Sequence, residues 1–152
     1  AFIRALRGAG VDTQVMGGDV LDSPTMRGLG DVVTGVAHTS GGFPDEGSAY
    51  ADFIDRFSAA TGTTPDNNYY VNGCDIAHMI EDAVAAAGTT DPAAVTAAMA
   101  GIENGEGIMS NFTFAGTDRM PLRDVVVARI SAAGEKEFVL RTRADPAILP
   151  QP

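Results

Sequence analysis

Apolar residues recur with helical spacing between Asn68 and Val95, and this is the strongest pattern in the chain. One predicted helix face carries Ile76, Ala77, Ile80, Ala83, Val84 and Ala87. The polar residues Asp75, His78 and Asp82 fall on the opposite face, which we expect to contact water. Because apolar faces of helices pack against a core, this helix is predicted to bury its isoleucines.

The other predicted elements alternate between helices and strands. Helices are predicted from the N-terminus to Gly8 or Gly10 and over residues 24–29, 47–60 and 93–100, and strands over residues 13–16, 32–37, 108–114, 124–130 and 137–141. The alternation is typical of an α/β fold with a parallel sheet flanked by helices. Residues 133–135 predict the turn of a C-terminal β-hairpin, and the proline-rich ending, residues 145–152, predicts an extended tail.

Two loops follow the predicted strands and form the candidate site, residues 17–22 and 38–40. In parallel sheets, ligands bind beyond the carboxyl ends of the strands. Asp19 comes directly after Gly18, where a glycine lets the backbone approach a ligand and a carboxylate can pair with an ammonium group. The alternative is that Asp19 caps a turn. Ser23 and Pro24 are interpreted as the cap and the first residue of the next helix. Asp22 is the alternative to Asp19 and is interpreted as a cap of the same helix.

Composition narrows the possible functions. The 152 residues are 45% hydrophobic, enough for a real core, and the net charge of −10 argues against nucleic-acid binding. Cys74 is the only cysteine, so no intrachain disulfide can form, and it is interpreted as a small buried residue. With only His38 and His78 as histidines, a metal site is not predicted. His38 is interpreted as a solvated loop residue, with lining of the cleft as the alternative, and His78 as exposed.

No catalytic motif is found, so the chain is predicted not to be an enzyme and to need no cofactor. The serines lack the surroundings of a nucleophile elbow, and no phosphate-binding glycine loop occurs. No apolar run approaches the ~20 residues of a membrane-spanning helix. The sequence opens inside a helical pattern, and we interpret it as a fragment of a longer protein.

Several short motifs resemble one family. Residues 87–99 match A-G-x-x-D-P-x-x-V-x-x-A-[LM], and residues 61–65 resemble a Y-G-x-x-P turn. Phe114 takes the phenylalanine position of a G-x-x-x-F-D-x-x-G-D segment, with Ala115 where aspartate is usual. The chain therefore resembles the C-terminal part of type 1 periplasmic binding proteins, the substrate-binding subunits of branched-chain amino-acid ABC transporters. It departs from them at residues 74–76, where Tyr-Asp-Ala is usual.

The resemblance implies a portion of a two-lobed fold that closes on its ligand by a hinge. Residues 1–40 would form an α/β segment of the C-terminal lobe, residues 41–109 a helical segment of the N-terminal lobe, and residues 110–152 the strands and tail of the C-terminal lobe. The sheet core of the N-terminal lobe would lie outside this chain. We therefore expect exposed strand edges that favour a homodimer, and weak or no ligand binding by these residues alone.

The resemblance also implies a function and a site. The ligand would be an amino acid or related small carboxylate, delivered to a membrane permease from a periplasmic or other extracytoplasmic space of a bacterium, by a lipoprotein or secreted protein. Asp19 would receive the α-amino group, with Gly18 beside it, and Tyr69 or Tyr70 would pack on the ligand side chain. Both tyrosines could instead serve packing or lie at the surface. The alternative function is a ligand-sensing regulatory domain of the same fold, such as an amide sensor.

Overall fold

The structure is a computed structural model that describes residues 1–117, 120–143 and 145. The helices are α1 (Phe2–Gly8), α2 (Pro24–Arg27), α3 (Ala49–Thr61), α4 (Tyr69–Ala87) and α5 (Pro92–Ala100). The strands are β1 (Met16–Gly17), β2 (Ala37–Ser40), β3 (Phe112–Thr113), β4 (Leu122–Ile130) and β5 (Lys136–Arg143). The fold is a mixed α/β structure, as the sequence predicts. The predicted extended tail falls almost wholly on residues 146–152, outside the described residues.

Side-chain caps and glycines set the ends of the long helices. Ser48 and Asp91 each accept a hydrogen bond from the backbone N–H three residues further on, at 3.1 and 3.0 Å, and so begin α3 and α5. Gly62 and Gly88 adopt the left-handed conformation that ends α3 and α4, with φ of 72° and 65°. The predicted helices α3 and α5 and the end of α4 are confirmed within two residues, whereas α4 begins at Tyr69, although Tyr69 and Tyr70 were expected to precede it.

The five strands form one mixed sheet. β1 and β2 pair in parallel, and β2 pairs antiparallel with β4. β4 also pairs antiparallel with β3 and, across the predicted hairpin, with β5. Gly134 has φ of 78°, which the hairpin turn requires. Parallel pairing is thus confined, among the described strands, to β1 and β2.

Three predicted strands differ from the structure. Residues 13–16 were expected to form a strand, but β1 contains only Met16 and Gly17. Residues 32–37 were expected to form one strand, but Gly30–Val33 is a 3₁₀ helix and β2 begins only at Ala37. Gly35 turns the chain with φ of 79° between the two. An apolar run indicates that a segment is buried, and a 3₁₀ turn can bury apolar side chains as well as a strand can. A strand was also predicted over residues 108–114, but of these residues only the two in β3 form a strand.

The orientation of α4 contradicts the predicted face. Ile76 and Ile80 are 55% and 47% exposed, and Asp75, which was expected to contact water, is 3% exposed. The buried side of α4 instead carries Val71, Asp75 and Ala83. Asp75 is stabilised there because its Oδ1 accepts a hydrogen bond of 2.7 Å from the backbone N–H of Ile108. The described residues therefore leave about half of the isoleucine face exposed.

The buried apolar residues form two separate clusters. The first cluster packs under the sheet and contains Ile3, Val33, Val36 and Ile130. The second cluster packs between α3, α4 and the loop before β3, and contains Tyr50, Val71 and Met109. The chain passes from the first cluster to the second directly after β2, and this passage forms the walls of the site described next.

Candidate ligand-binding pocket

A small pocket opens where β1 and β2 end and α4 begins. Its walls are Asp19, Thr39, Ser40, Gly41, Asn68, Asn72, Arg123, Asp124 and Val125, and its volume is about 230 Å³. The pocket lies beyond the carboxyl ends of the two parallel strands, which is where ligands bind in such sheets. It is smaller than the ~300–1,000 Å³ of sites for drug-sized ligands. Its size therefore suits a small metabolite.

The structure brings Asp19 and Tyr69 together at this pocket. Asp19 follows β1 in a short 3₁₀ helix and is exposed. Desolvation and, after it, the negative charge of Asp19 raise the pKa of Tyr69 above its usual value. Gly18 is extended, with open space where a side chain would be. Three of the four residues predicted from the sequence thus lie side by side.

Tyr70 lies away from the pocket. Its ring packs edge-on against Phe57 of α3, with ring centroids 5.4 Å apart and planes at 73°. Successive residues of a helix point in directions about 100° apart, so Tyr69 and Tyr70 cannot face the same wall. Tyr70 joins α4 to α3, and Tyr69 is the tyrosine beside Asp19.

Arg123 is a wall residue that the sequence analysis did not identify. It begins β4 and reaches across to Gly41 O at 3.3 Å and to Asn72 Oδ1 at 3.4 Å. Both distances are long for N–H···O bonds. No carboxylate of the described residues lies within 4.0 Å of its guanidinium. No local motif marks this arginine, because the pocket forms only when β4 pairs with β2.

The first turn of α4 contributes two amides. Asn68 is 1% exposed, and its Nδ2 donates to Ser40 Oγ at 3.3 Å. Its Oδ1 is buried without a hydrogen-bond partner among the described residues. Asn72 lies one turn further and accepts the bond from Arg123. Both amides therefore link α4 to the strands that frame the pocket.

Asp22 lies behind the pocket, in a buried charged cluster. Its carboxylate is fully buried and accepts hydrogen bonds from Lys136 Nζ at 2.9 and 3.1 Å and from Ser40 Oγ at 2.9 Å. Arg27 lies 3.4 Å away and donates to the Asp66 backbone carbonyl at 2.7 Å. Asp22 is therefore not the helix cap that was predicted. The helix α2 is capped by Ser23, whose Oγ accepts from Met26 N.

Tyr50 lies near this cluster, at the buried start of α3. Burial raises the pKa of Tyr50 to about 12, the negative charge of Asp22 adds to the rise and the positive charge of Arg27 opposes it. The desolvated neutral phenol is the stable form next to a carboxylate. Tyr50 thus lies near Asp22 in the buried cluster, and Tyr69 lies near Asp19 at the pocket.

The remaining candidate residues do not form a second polar site. His38 is 1% exposed within β2, so the expectation of a solvated loop histidine is wrong. Its register in the sheet points it inward, and its Nδ1 lies 3.1 Å from Thr39 O. Cys74 is half-buried rather than buried, and His78 is exposed as predicted. Within residues 1–117, 120–143 and 145, no three His, Cys, Asp or Glu side chains are grouped to hold a metal ion.

The described helices are also too short or too polar to cross a membrane.

Comparison with known families decides the relationship. The profile of a family described as periplasmic binding protein matches residues 1–135, most of the chain. The chain belongs to the periplasmic binding protein family. The resemblance noted from the motifs is thereby confirmed. No curated protein matches the chain.

Solved structures show the same fold over part of their length. A leucine-binding protein from Thermotoga maritima superposes with a TM-score of 0.81 at 21% identity, covering 92% of this chain and 40% of that one. A leucine-, isoleucine-, valine-, threonine- and alanine-binding protein from Brucella ovis, in a closed conformation, gives 0.76 at 20% identity, covering 97% and 41%. A solute-binding protein from R. palustris in complex with benzoate gives 0.71 at 19% identity, covering 92% and 39%. The chain thus spans about 40% of these relatives and has a partial type 1 periplasmic-binding-protein fold.

Proposed function

We propose that this chain is part of an extracytoplasmic solute-binding subunit of an ABC importer, and that its pocket holds an amino acid or related small carboxylate. The observation that carries the proposal is the carboxylate of Asp19, exposed at the carboxyl end of β1 and opening into a small pocket. A carboxylate in this position can accept the ammonium group of an amino acid. The family and the neighbouring folds, several of them described as amino-acid-binding proteins, support it.

The two apolar clusters support an assignment of segments to lobes. We propose that residues 1–40 and 110–152 belong to one lobe and residues 41–109 to the other. The first cluster draws its buried residues from residues 3–36 and from Ile130, and the second from residues 50–109. The pocket lies where the chain crosses between them, at Gly41, and where Arg123 and Asn72 meet. Closure of two lobes at this position would enclose a ligand.

The exposed isoleucine face of α4 supports the proposal that another surface packs on it in the full-length protein. Ile76 and Ile80 lie on a face that the sequence pattern marks for burial, yet about half of each side chain is exposed. We propose that the sheet of the N-terminal lobe covers this face in the full-length protein. The 152 residues alone are then expected to bind ligand weakly or not at all. They are also expected to self-associate through this face or through the exposed Phe138, Val139 and Leu140 of β5.

The ammonium role of Asp19 can be tested by calorimetry on the full-length protein that contains these residues. Asp19→Ala is expected to lower the affinity for the bound amino acid by about 10- to 100-fold, because a hydrogen bond to a charged group contributes roughly 1.5–3 kcal/mol. The matched control is Asp55→Ala, which removes an exposed carboxylate from α3. Unchanged affinity in Asp19→Ala would reject the role. Micromolar binding by the 152-residue chain alone would reject the dependence on a second lobe.

A further inference from the structure

Most residues that line the pocket carry a polar side chain. Of the residues that form its walls, only Gly41 and Val125 lack one. A leucine or valine side chain is bound through the burial of apolar area, at roughly 25 cal/mol per Å². The polar groups of these walls add nothing to that contribution, whereas they can form hydrogen bonds with a polar ligand side chain.

The positive charge in this pocket comes from Arg123. Its guanidinium is half-buried and makes long contacts to Gly41 O and Asn72 Oδ1, without a carboxylate within 4.0 Å among the described residues. The neighbouring carboxylate, Asp124, is held instead by Arg143 at 2.9 Å. An arginine has five N–H donors in a planar fork that matches a carboxylate or a carboxamide oxygen. Two long N–H···O contacts and one contact to Met109 Sδ at 3.9 Å use part of this capacity, and no carboxylate of the described residues uses it.

The start of α4 adds to the preference for an oxygen-bearing group. Asn68 and Asn72 line the pocket from the first turn of a 19-residue helix, whose backbone N–H groups place partial positive charge at this end. Asn68 is almost fully buried, and its amide oxygen has no partner among the described residues. An amide held in this way can present its NH₂ group or its oxygen to a ligand.

From these contacts we infer that the pocket has two charged poles and that its ligand is an amino acid whose side chain ends in a carboxylate or a carboxamide. Asp19 accepts the ammonium group, and Arg123 with Asn68 and Asn72 binds the terminal oxygen atoms of the side chain. Arg123 then determines specificity for this class of ligand over branched aliphatic amino acids. The inference rests on the proposed function and goes beyond it by naming the side-chain class.

Calorimetry on the full-length protein tests this with three probes, L-glutamate, L-glutamine and L-leucine. We expect L-glutamate or L-glutamine to bind at least about 10-fold more tightly than L-leucine, since a charge-assisted hydrogen bond contributes roughly 1.5–3 kcal/mol. The comparison between glutamate and glutamine shows which terminal group is preferred. Tightest binding of L-leucine would overturn the inference but leave the proposed function standing. Binding of none of the three would overturn both.

A variant of Arg123 tests whether this residue contacts the ligand or only links β4 to α4. Arg123→Met keeps the length of the side chain without its charge. It is expected to remove the preference for L-glutamate or L-glutamine, by about 10- to 100-fold, and to change L-leucine binding by no more than about threefold. An equal loss for all three ligands would overturn the inference. The matched control is Arg129→Met, on the same strand, which pairs at the surface with Glu137.

The folded state of the variants is checked by thermal unfolding. Arg123→Lys keeps the charge but cannot form a planar fork. If Arg123→Met does not fold, Arg123→Lys provides the test instead. Arg123→Lys is expected to retain part of the preference for L-glutamate. Loss of all preference in a folded Arg123→Lys protein, with L-leucine binding reduced equally, would count against the inference.

Discussion

Asp19 and Asp22 lie in the same short segment after β1, yet the fold gives them opposite environments. Asp22 is fully buried and is bound by Lys136, Ser40 and Arg27. The Asp19 carboxylate is exposed at the pocket and forms no ion pair with a described residue. A buried charge must be paired because its desolvation is costly. A carboxylate left open to solvent keeps its capacity to bind something else.

The comparison extends to the cations and tyrosines. Lys136 and Arg27 neutralise Asp22 inside the protein, while Arg123 has no carboxylate within 4.0 Å among the described residues. Tyr50 is buried beside the charged cluster around Asp22, and Tyr69 is half-exposed beside Asp19. The difference teaches that the charges of the buried cluster serve the folded structure, whereas Asp19 and Arg123 keep charged groups available at the pocket for the ligand that we propose.

The largest expected effect is on stability, at Asp22. Asp22→Ala leaves Lys136 and Arg27 without their buried partner, and the free energy of unfolding is expected to fall by about 3–5 kcal/mol. Urea denaturation measures it. Asp19→Ala is the matched control and is expected to change the free energy of unfolding by less than about 0.5 kcal/mol. Equal effects at the two aspartates would remove the distinction between them.

A third aspartate sharpens the comparison, because Asp75 is buried without an ion pair to any described residue. Its Oδ1 accepts the hydrogen bond from Ile108 N at 2.7 Å. Asp75→Ala leaves a buried N–H unpaired and is expected to lower the free energy of unfolding by about 1–3 kcal/mol in urea denaturation. Asp75→Asn keeps an acceptor oxygen and is expected to lose less. A larger loss in Asp75→Asn than in Asp75→Ala would contradict this account.

The buried tyrosine predicts a pH dependence at alkaline pH. The pKa of Tyr50 is about 12 in the folded protein and 10.0 for the free group. Because the folded value is the higher one, its contribution to stability is fully present below pH 10 and is lost as the pH rises through about 12. The free energy of unfolding is expected to fall less steeply over this range in Tyr50→Phe than in the wild type. Equal slopes would show that burial does not keep this phenol neutral.

The smallest expected effect is at Tyr69. Tyr69→Phe removes a hydroxyl near Asp19 at an exposed position, and the free energy of unfolding is expected to change by less than about 0.5 kcal/mol. Thermal unfolding of Tyr69→Phe and Tyr50→Phe side by side provides the measurement. A larger loss in Tyr69→Phe than in Tyr50→Phe would place the structural tyrosine in the pocket rather than in the buried cluster.

The sequence predicted the long helices and the hairpin better than the short elements. Ser48, Asp91, Gly62 and Gly88 act within their own turns, so their effects can be identified from neighbouring residues alone. Residues 32–37 were assigned wrongly because an apolar run reports burial and not backbone conformation. The glycine turn at Gly35 and the parallel partner β1 decide where β2 begins.

The candidate site was predicted in part. Asp19, Gly18 and Tyr69 were identified from a strand end, a glycine pair and the family resemblance, and they lie together. Arg123 was not identified, because it comes from a strand far along the chain that reaches the pocket only by pairing with β2. The sequence also gave no means to choose between Tyr69 and Tyr70, because the rotation of α4 depends on what packs against it.

By itself, the sequence determined the order of the main elements, the ends of α3 and α5, the glycine that ends α4, the hairpin and the membership of a family, because these depend on contacts within a few residues or on short motifs. Only the tertiary structure decided which face of α4 is buried, that His38 and Asp22 are interior, and that Arg123 and Asp19 line the same pocket. Each of these depends on contacts between segments far apart in the chain, and the spacing of residues along one segment does not specify its partner.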